Sequence, residues 1–196
     1  GLNFLAGLEG ETPATFEANR VFLKEVLNSG NMLRRINIRQ VAPTRKEFRN
    51  QGNKRDFIRF KEWVRNEIDP AMLGQVAPVG TVLRGLYAEV RIGKLTFARQ
   101  IGTYPILVGI PQNIELGRFL DGMVTAQGSR SLTALEYPLD INACELSALE
   151  NLPGIGRKRA IRLFKARPMA SFRDVEKSLD DPQLASGISS YLGAGF

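Results

Sequence analysis

The residues best placed to do chemistry in this chain form one run, Leu152-Pro153-Gly154-Ile155-Gly156-Arg157-Lys158-Arg159. Pro153 closes one helix. Gly154 and Gly156 permit positive φ and carry no side chain that would hold a ligand away from the main chain. With Ile155 between them they make a turn whose N–H groups, together with those of the next helix's first turn, converge on one point. Such a point binds an anion, and a phosphate suits it. The positive end of a helix should repel the cations that follow. A bound phosphate reverses the local sign, so that Arg157, Lys158 and Arg159 become partners, with Arg162 and Lys165 extending the basic face. No acidic residue lies between Gly154 and Arg167. The chemistry expected is the gripping of nucleic-acid backbone, without reading of base edges. The alternative is a turn that serves only as a structural or protein-docking element.

Composition narrows the choice of chemistry. Lys and Arg number 27 against 20 Asp and Glu, a net charge of +7 over 196 residues. This favours an anionic partner, nucleic acid first. There is no histidine and one cysteine, Cys144. An internal disulfide, a Cys/His zinc site, a cysteine-held iron–sulfur cluster and histidine-based acid–base catalysis are all excluded. Cys144 reads as a small buried residue, since no histidine can activate it. No catalytic residue and no metal ligand is assigned. Low cysteine content suits an intracellular, cytoplasmic protein. No run approaches the roughly 18 apolar residues of a membrane span. The start "GLNFLAGLEGET" has neither a basic region nor a cleavage site of a signal peptide. No membrane partner is expected.

Three segments must position these groups, at 1–77, 78–140 and 141–196. In the first, "LNFLAGL" is a strand, Thr12-Pro13 starts a helix, and Val21, Phe22, Val26 and Leu27 follow from Phe16 at near-helical spacing. Gly30 ends that helix. "LRRINIRQV" then alternates, with Leu33, Ile36, Ile38 and Val41 apolar. This is a βαβ unit with parallel strands. A further helix is expected over 53–68, with Phe57, Phe60, Lys61 and Val64 on one side and Pro70 ending it. Residues 34–65 hold eleven Lys/Arg against three Asp/Glu, either a nucleic-acid face or a solvated helix face. Two parallel strands and one helix leave sheet faces uncovered. The chain is therefore expected to be a piece of a longer one, with self-association through the incomplete sheet.

From "APVGTVL" the pattern changes to short alternating stretches, "TVLRGL", "AEVRI", "LTFARQ", "PILVGI", "GMVTAQ" and "SLTALE". Gly93-Lys94 suits a two-residue hairpin turn with glycine first. Five or six short strands here suggest a small closed antiparallel barrel of the OB type. The last segment is helical, with Asn142 as N-cap and Glu145 completing a capping box, then a helix capped by Ser171, and a final one over "DPQLASGISSYL". The fold class expected is thus α+β and multi-domain.

The run from Leu152 resembles the helix-hairpin-helix motif, L-P-G-I-G-x-x-x-A, with Leu152, Pro153, Gly154, Ile155, Gly156 and Ala160 matching. That resemblance implies sequence-independent binding of nucleic-acid backbone. The stretch "FLAGLEGETPATFEAN" is similar to the late strand–turn–helix of radical S-adenosylmethionine barrels, with a G-x-x-G-E-T turn at Gly7, Gly10, Glu11 and Thr12. In that family such strand ends line the pocket of the methionine cofactor, which implies cofactor-binding roles for Gly7, Gly10 and Glu11. The family's C-x-x-x-C-x-x-C motif is absent, so S-adenosylmethionine chemistry and a 4Fe–4S cluster are implied only for a longer parent, and this piece alone holds no cofactor. The middle segment is similar to TRAM-type RNA-binding barrels, which puts Arg99, Gln100 and Tyr104 forward as a backbone-and-stacking set. A core tyrosine in a turn is the alternative for Tyr104. The order of segments resembles archaeal-type radical S-adenosylmethionine proteins with a C-terminal helix-hairpin-helix. Three readings stay open: the RNA- or DNA-gripping end of such an enzyme, a stand-alone nucleic-acid-binding protein, and a module whose basic face meets an acidic protein.

Overall fold

The computed structural model describes residues 1–42 and 53–192. They form two compact units, Gly1–Ala77 with Gly128–Arg130, and Pro78–Gln127 with Ser131–Phe196.

In the first unit, β1 (Leu2–Ala6) and β2 (Ile36–Gln40) pair in parallel, Leu2 opposite Ile36 and Ala6 opposite Gln40. Helix α1 (Pro13–Asn28) crosses between them, with Thr12 as N-cap and Pro13 in its first turn. Gly30, at φ +74°, follows its C-terminus. The second strand is shorter than expected: Ile36 and Ile38 alternate within it and are buried, whereas Leu33, also buried, and Val41 lie outside it. The expected α1 face needs correction: Phe16 and Leu23 are buried, whereas Val21 and Phe22 are 49% and 45% exposed. Each residue turns a helix by about 100°, so 21 and 22 fall off the stripe through 16 and 23.

Helix α2 (Lys54–Trp63) starts at Asn53, whose side chain accepts the Arg55 N–H. Pro70 does not end it. A π-helical turn (Val64–Ile68) leads straight into α3 (Asp69–Val76). The Asp69 N–H reaches back five residues to the Val64 carbonyl, and that widened turn admits a proline, which has no N–H to give. Phe60, Val64, Ile68 and Met72 recur every fourth residue and are buried. Phe60 packs against Phe4 and Phe16, with ring centroids at 5.6 and 5.7 Å. Arg65 pairs with buried Asp69 and donates twice to the Ile36 carbonyl, at 3.2 Å each. Burial raises the Asp69 carboxyl above its ordinary range, and Arg65 opposes that shift. Of the basic segment, Arg45, Lys46 and Arg49 lie outside the described residues, while Arg55, Arg59 and Lys61 are exposed.

The second unit opens with a closed five-stranded barrel of β3 (Val82–Ile92), β4 (Leu95–Gln100), β5 (Leu107–Ile110), β6 (Phe119–Gln127) and β7 (Ser131–Glu136), in the order β3-β4-β5-β7-β6. It is OB-like. Two expectations are corrected. The barrel is not wholly antiparallel, because β5 and β7 run parallel. And "TVLRGL" and "AEVRI" are one strand. Register shifts between Leu83 and Leu86 and between Ala88 and Val90 bend β3 so that it pairs with both β6 and β4. Gly93 takes φ +61° at the β3–β4 turn, where Ile92 faces Leu95. The interior is filled by large residues such as Leu86, Ile110 and Leu132 set against Ala88, Ala98 and Ala134, all buried.

Four helices follow, α4 (Leu146–Glu150), α5 (Gly156–Lys165), α6 (Phe172–Leu179) and α7 (Pro182–Leu192). Their core takes in Met123 of β6 and Leu135 of β7. The Tyr191 hydroxyl donates to the Val124 carbonyl at 2.9 Å, and the Leu139 N–H to the Tyr191 carbonyl at 2.8 Å. Barrel and helices therefore share one hydrophobic interior. Asn142 is not an N-cap; that position belongs to Glu145. The Asn142 amide instead exchanges two hydrogen bonds with the Met169 backbone, at 2.9 and 2.8 Å, and fixes the entry to α6. Ser171 does cap α6, in a capping box with Asp174.

Gly122 of β6 has no room for a side chain: a Cβ there would stand 2.8 Å from the Leu86 Cδ1 and 3.4 Å from the Ala134 Cβ. Gly122→Val is expected to cost about 1–3 kcal/mol by overpacking, read from denaturant unfolding followed by circular dichroism. Asp174 gives a pH signature. The Ala170 and Ser171 N–H groups hold its carboxyl below the ordinary range. Its contribution is then present above the unfolded value of about 3.9 and is lost as pH falls toward the lower folded value. Asp174→Asn should lower Tm at neutral pH, and its gap from wild type should close as the buffer is taken below about pH 4.

Candidate nucleic-acid interface

The glycine turn is built from its two apolar flanks. Leu152 and Ile155 are 2% and 1% exposed, and the Ile155 N–H returns to the Leu152 carbonyl at 3.0 Å. With these side chains buried, the backbone between them is pushed outward. The two glycines serve different ends. Gly154 has φ +75°, and a Cβ there would lie 2.6 Å from the Leu184 Cδ1 of α7. Close packing therefore requires glycine at 154. Gly156 has φ +42° and nothing within 4 Å of where a Cβ would stand, so its face is open. Ile155, the N-cap of α5, supplies no side-chain hydrogen bond. The first-turn N–H groups of α5 thus have no cap, in a position that ordinarily calls for one.

The cations of α5 divide into two kinds. Arg157 is 78% exposed, with Nη1 3.6 Å from the Glu150 carboxylate. Lys158, Arg162 and Lys165 are exposed. Arg159 turns inward: it donates to the Gly154 carbonyl at 3.1 Å and lies 3.5 Å from Asp181. Asp181 in turn accepts the Leu184 N–H at 3.0 Å, at the start of α7. Arg159 therefore ties the glycine turn to the turn between α6 and α7. Nothing in the spacing of three consecutive cations could have told it from its neighbours.

Cys144 is buried, and burial pushes its thiol up to about 11 against the opposing pull of Arg167. Arg167 donates to the Cys144 carbonyl at 2.8 Å and to its Sγ at 3.0 Å, and its guanidinium lies 4.6 Å from the Phe164 ring centre. This thiol is a packed group. Among the described residues no group of three or more Cys, Asp or Glu is poised to hold a metal. Nor is any described helix long and apolar enough to cross a membrane.

On the barrel, Arg99 forms an ion pair with Glu89. Gln100 donates to the Arg84 carbonyl at 3.0 Å, which makes it a strand tie. Tyr104 is 62% exposed, with φ +53°, so it is not a core residue. Tyr87 and Phe119, cross-strand partners with ring centroids 5.1 Å apart, were missed. The signal available was the alternation of Tyr87 with buried Leu86 and Ala88.

In the first unit, the Glu11 Oε2 accepts the Gly7 N–H at 2.8 Å, with Gly7 and Gly10 at φ +91° and +80°. Glu11 Oε1 is buried without a hydrogen-bond partner.

No family model matches the chain. It is 42% identical over 184 residues to an uncharacterized protein of Archaeoglobus fulgidus, covering 90% of this chain and 34% of that protein. It is 46% identical over 142 residues to an uncharacterized protein of Methanocaldococcus jannaschii, covering 68% of this chain and 26% of that one. The chain spans about a third or less of these archaeal relatives.

The unequal glycines give a stability test. Alanine at either position meets the roughly 1–2 kcal/mol cost of the left-handed region. Gly154→Ala adds the clash with Leu184, so it should lower Tm further than Gly156→Ala. Leu184→Ala should cost less in the Gly154→Ala background than in the wild type, a coupling that a double-mutant cycle reads directly.

Proposed function

We propose that this chain is the nucleic-acid-gripping part of a longer archaeal protein, and that it holds RNA or DNA by the phosphate backbone. The observation that carries this is the uncapped start of α5: Gly156 is open, Ile155 gives no side-chain cap, and Arg157 and Lys158 stand exposed beside it. Backbone N–H groups without a cap and flanking cations are what a phosphate oxygen needs. A base edge offers these groups no unique pattern, so binding is indifferent to sequence. This is the helix-hairpin-helix reading of residues 152–160. The exposed Tyr87–Phe119 pair and the OB-like barrel suit the stacking of bases from a strand held nearby.

The parent is read as a radical S-adenosylmethionine enzyme. The reading rests on the G-x-x-G-E-T turn, and one observation suits it: the turn after β1 carries an acceptor without a partner, Glu11 Oε1. That oxygen fits a donor on the methionine cofactor, such as its ammonium group, and Glu11 would hold it while Gly7 keeps the carboxylate aimed. When bound in such an enzyme, the cofactor supplies a carbon radical. The cluster does not fit this chain, whose one thiol is buried and protonated. In this reading the cluster ligands stand elsewhere in the longer protein, and this chain's task is to present the nucleic acid.

Binding measured by fluorescence anisotropy against salt, on duplex and single-stranded RNA and DNA, tests the proposal. Log affinity should fall with log salt by about 0.9 per phosphate contact on duplex and about 0.7 on single strands. Lys158→Ala should weaken binding equally across sequences and lower the slope by about one contact. A folded Lys158→Ala variant with unchanged affinity and slope would leave the turn as scaffold.

A further inference from the structure

A groove of about 450 Å³ runs between the β3–β4 turn and the start of the helices, with Arg91 and Lys94 on one wall and Glu145, Glu150 and Arg157 on the other. We infer that this groove is a second phosphate seat, so that one nucleic-acid strand is held at once by the barrel and by the glycine turn; this rests on the backbone-gripping reading above.

Three cations, Arg91, Lys94 and Arg157, line the groove against two acids, Glu145 and Glu150. Glu145 accepts the Asn113 N–H at 2.9 Å. Glu150 faces Arg157 at 3.6 Å. The cations on the barrel wall are not neutralised: Arg91 donates to a carbonyl, that of Ile114, at 2.7 Å. Among the described residues neither Arg91 nor Lys94 has a carboxylate partner. Both walls are fixed. Gly93 at φ +61° makes a tight two-residue turn, and the Ser147 hydroxyl donates to the Pro111 carbonyl at 2.7 Å. The backbone that carries these cations is therefore held in place before a ligand arrives.

Arg157 joins the two places. Its N–H belongs to the first turn of α5, beside Gly156, and its side chain lines the groove. Phosphates recur about every 3.4 Å of axis along one strand, so a strand seated at the glycine turn must lay further charges on the adjoining surface. The α6–α7 turn presents Asp180 and Asp181, and of these Asp181 already has Arg159 beside it. The groove offers cations. The same geometry makes Glu150 a competitor of the phosphate for Arg157.

The test uses the whole chain and fluorescein-labelled deoxythymidine strands of about 4 and about 12 nucleotides, lengths that bracket one small binding site. On the longer strand, Lys94→Ala should weaken binding severalfold and lower the salt slope by about 0.7. Lys94→Arg should restore both, and Glu150→Gln should tighten binding. On the shorter strand, Lys158→Ala should cost more than Lys94→Ala. If Lys158→Ala weakens binding while folded Lys94→Ala and Glu150→Gln match wild type on both strands, the groove is not a seat and the glycine-turn reading stands. If Lys94→Ala weakens binding and Lys158→Ala does not, the groove keeps its role and the glycine-turn reading falls. If no variant differs from wild type, both fall.

Discussion

The second unit depends on one constraint: Leu152 and Ile155 must both be buried, although only Pro153 and Gly154 separate them. They enter one core across a turn rather than along a helix face, the Ile155 N–H closing on the Leu152 carbonyl and leaving Gly154 exposed. Gly154 makes the loop tight enough, because its missing Cβ lets Leu184 of α7 approach. Burial of the flanks thus delivers backbone to the surface, at the start of a helix with no side-chain cap. A stability requirement and a binding surface arise from the same few residues.

Charge is sorted on that frame by reach. Arg159 is drawn to the Gly154 carbonyl and Asp181, and closes the four-helix arrangement from outside. Lys158 stays exposed, and Arg157 is exposed with only Glu150 beside it. Arg167, in a similar run of cations, is spent on Cys144 and Phe164. A basic helix here holds arginines that position backbone and others that face solvent. Only the latter add to the field met by a polyanion.

The first unit solves a different problem with a buried charge. Asp69 is almost wholly out of water, and desolvation works against its ionised form. Arg65 answers by pairing with it and by donating to the Ile36 carbonyl, so the pair also ties helix to strand. The π-helical turn between α2 and α3 sets these residues at one level, where the Phe60 ring meets Phe4 and Phe16. At the end of β1, Glu11 uses one oxygen on Gly7 and leaves the other without a protein donor.

By itself the sequence determined the local features: the βαβ pattern from apolar alternation, the caps at Thr12 and Ser171, the turns at Gly30 and Gly93, and the barrel from repeated short strands. It also marked the glycine turn, because Pro153 fixes φ and Gly154 and Gly156 permit positive φ without help from elsewhere. Tertiary structure decided the rest. Pro70 did not stop its helix, because a widened turn upstream absorbed the missing N–H. Asn142 was taken from its expected cap by the Met169 backbone, twenty-seven residues on. The division of labour between Gly154 and Gly156, and between Arg159 and its neighbours, depended on α7, and the groove at Lys94 on a barrel turn folded against α4. In each case the deciding partner is distant in sequence, and a spacing rule cannot see a partner that only packing brings near.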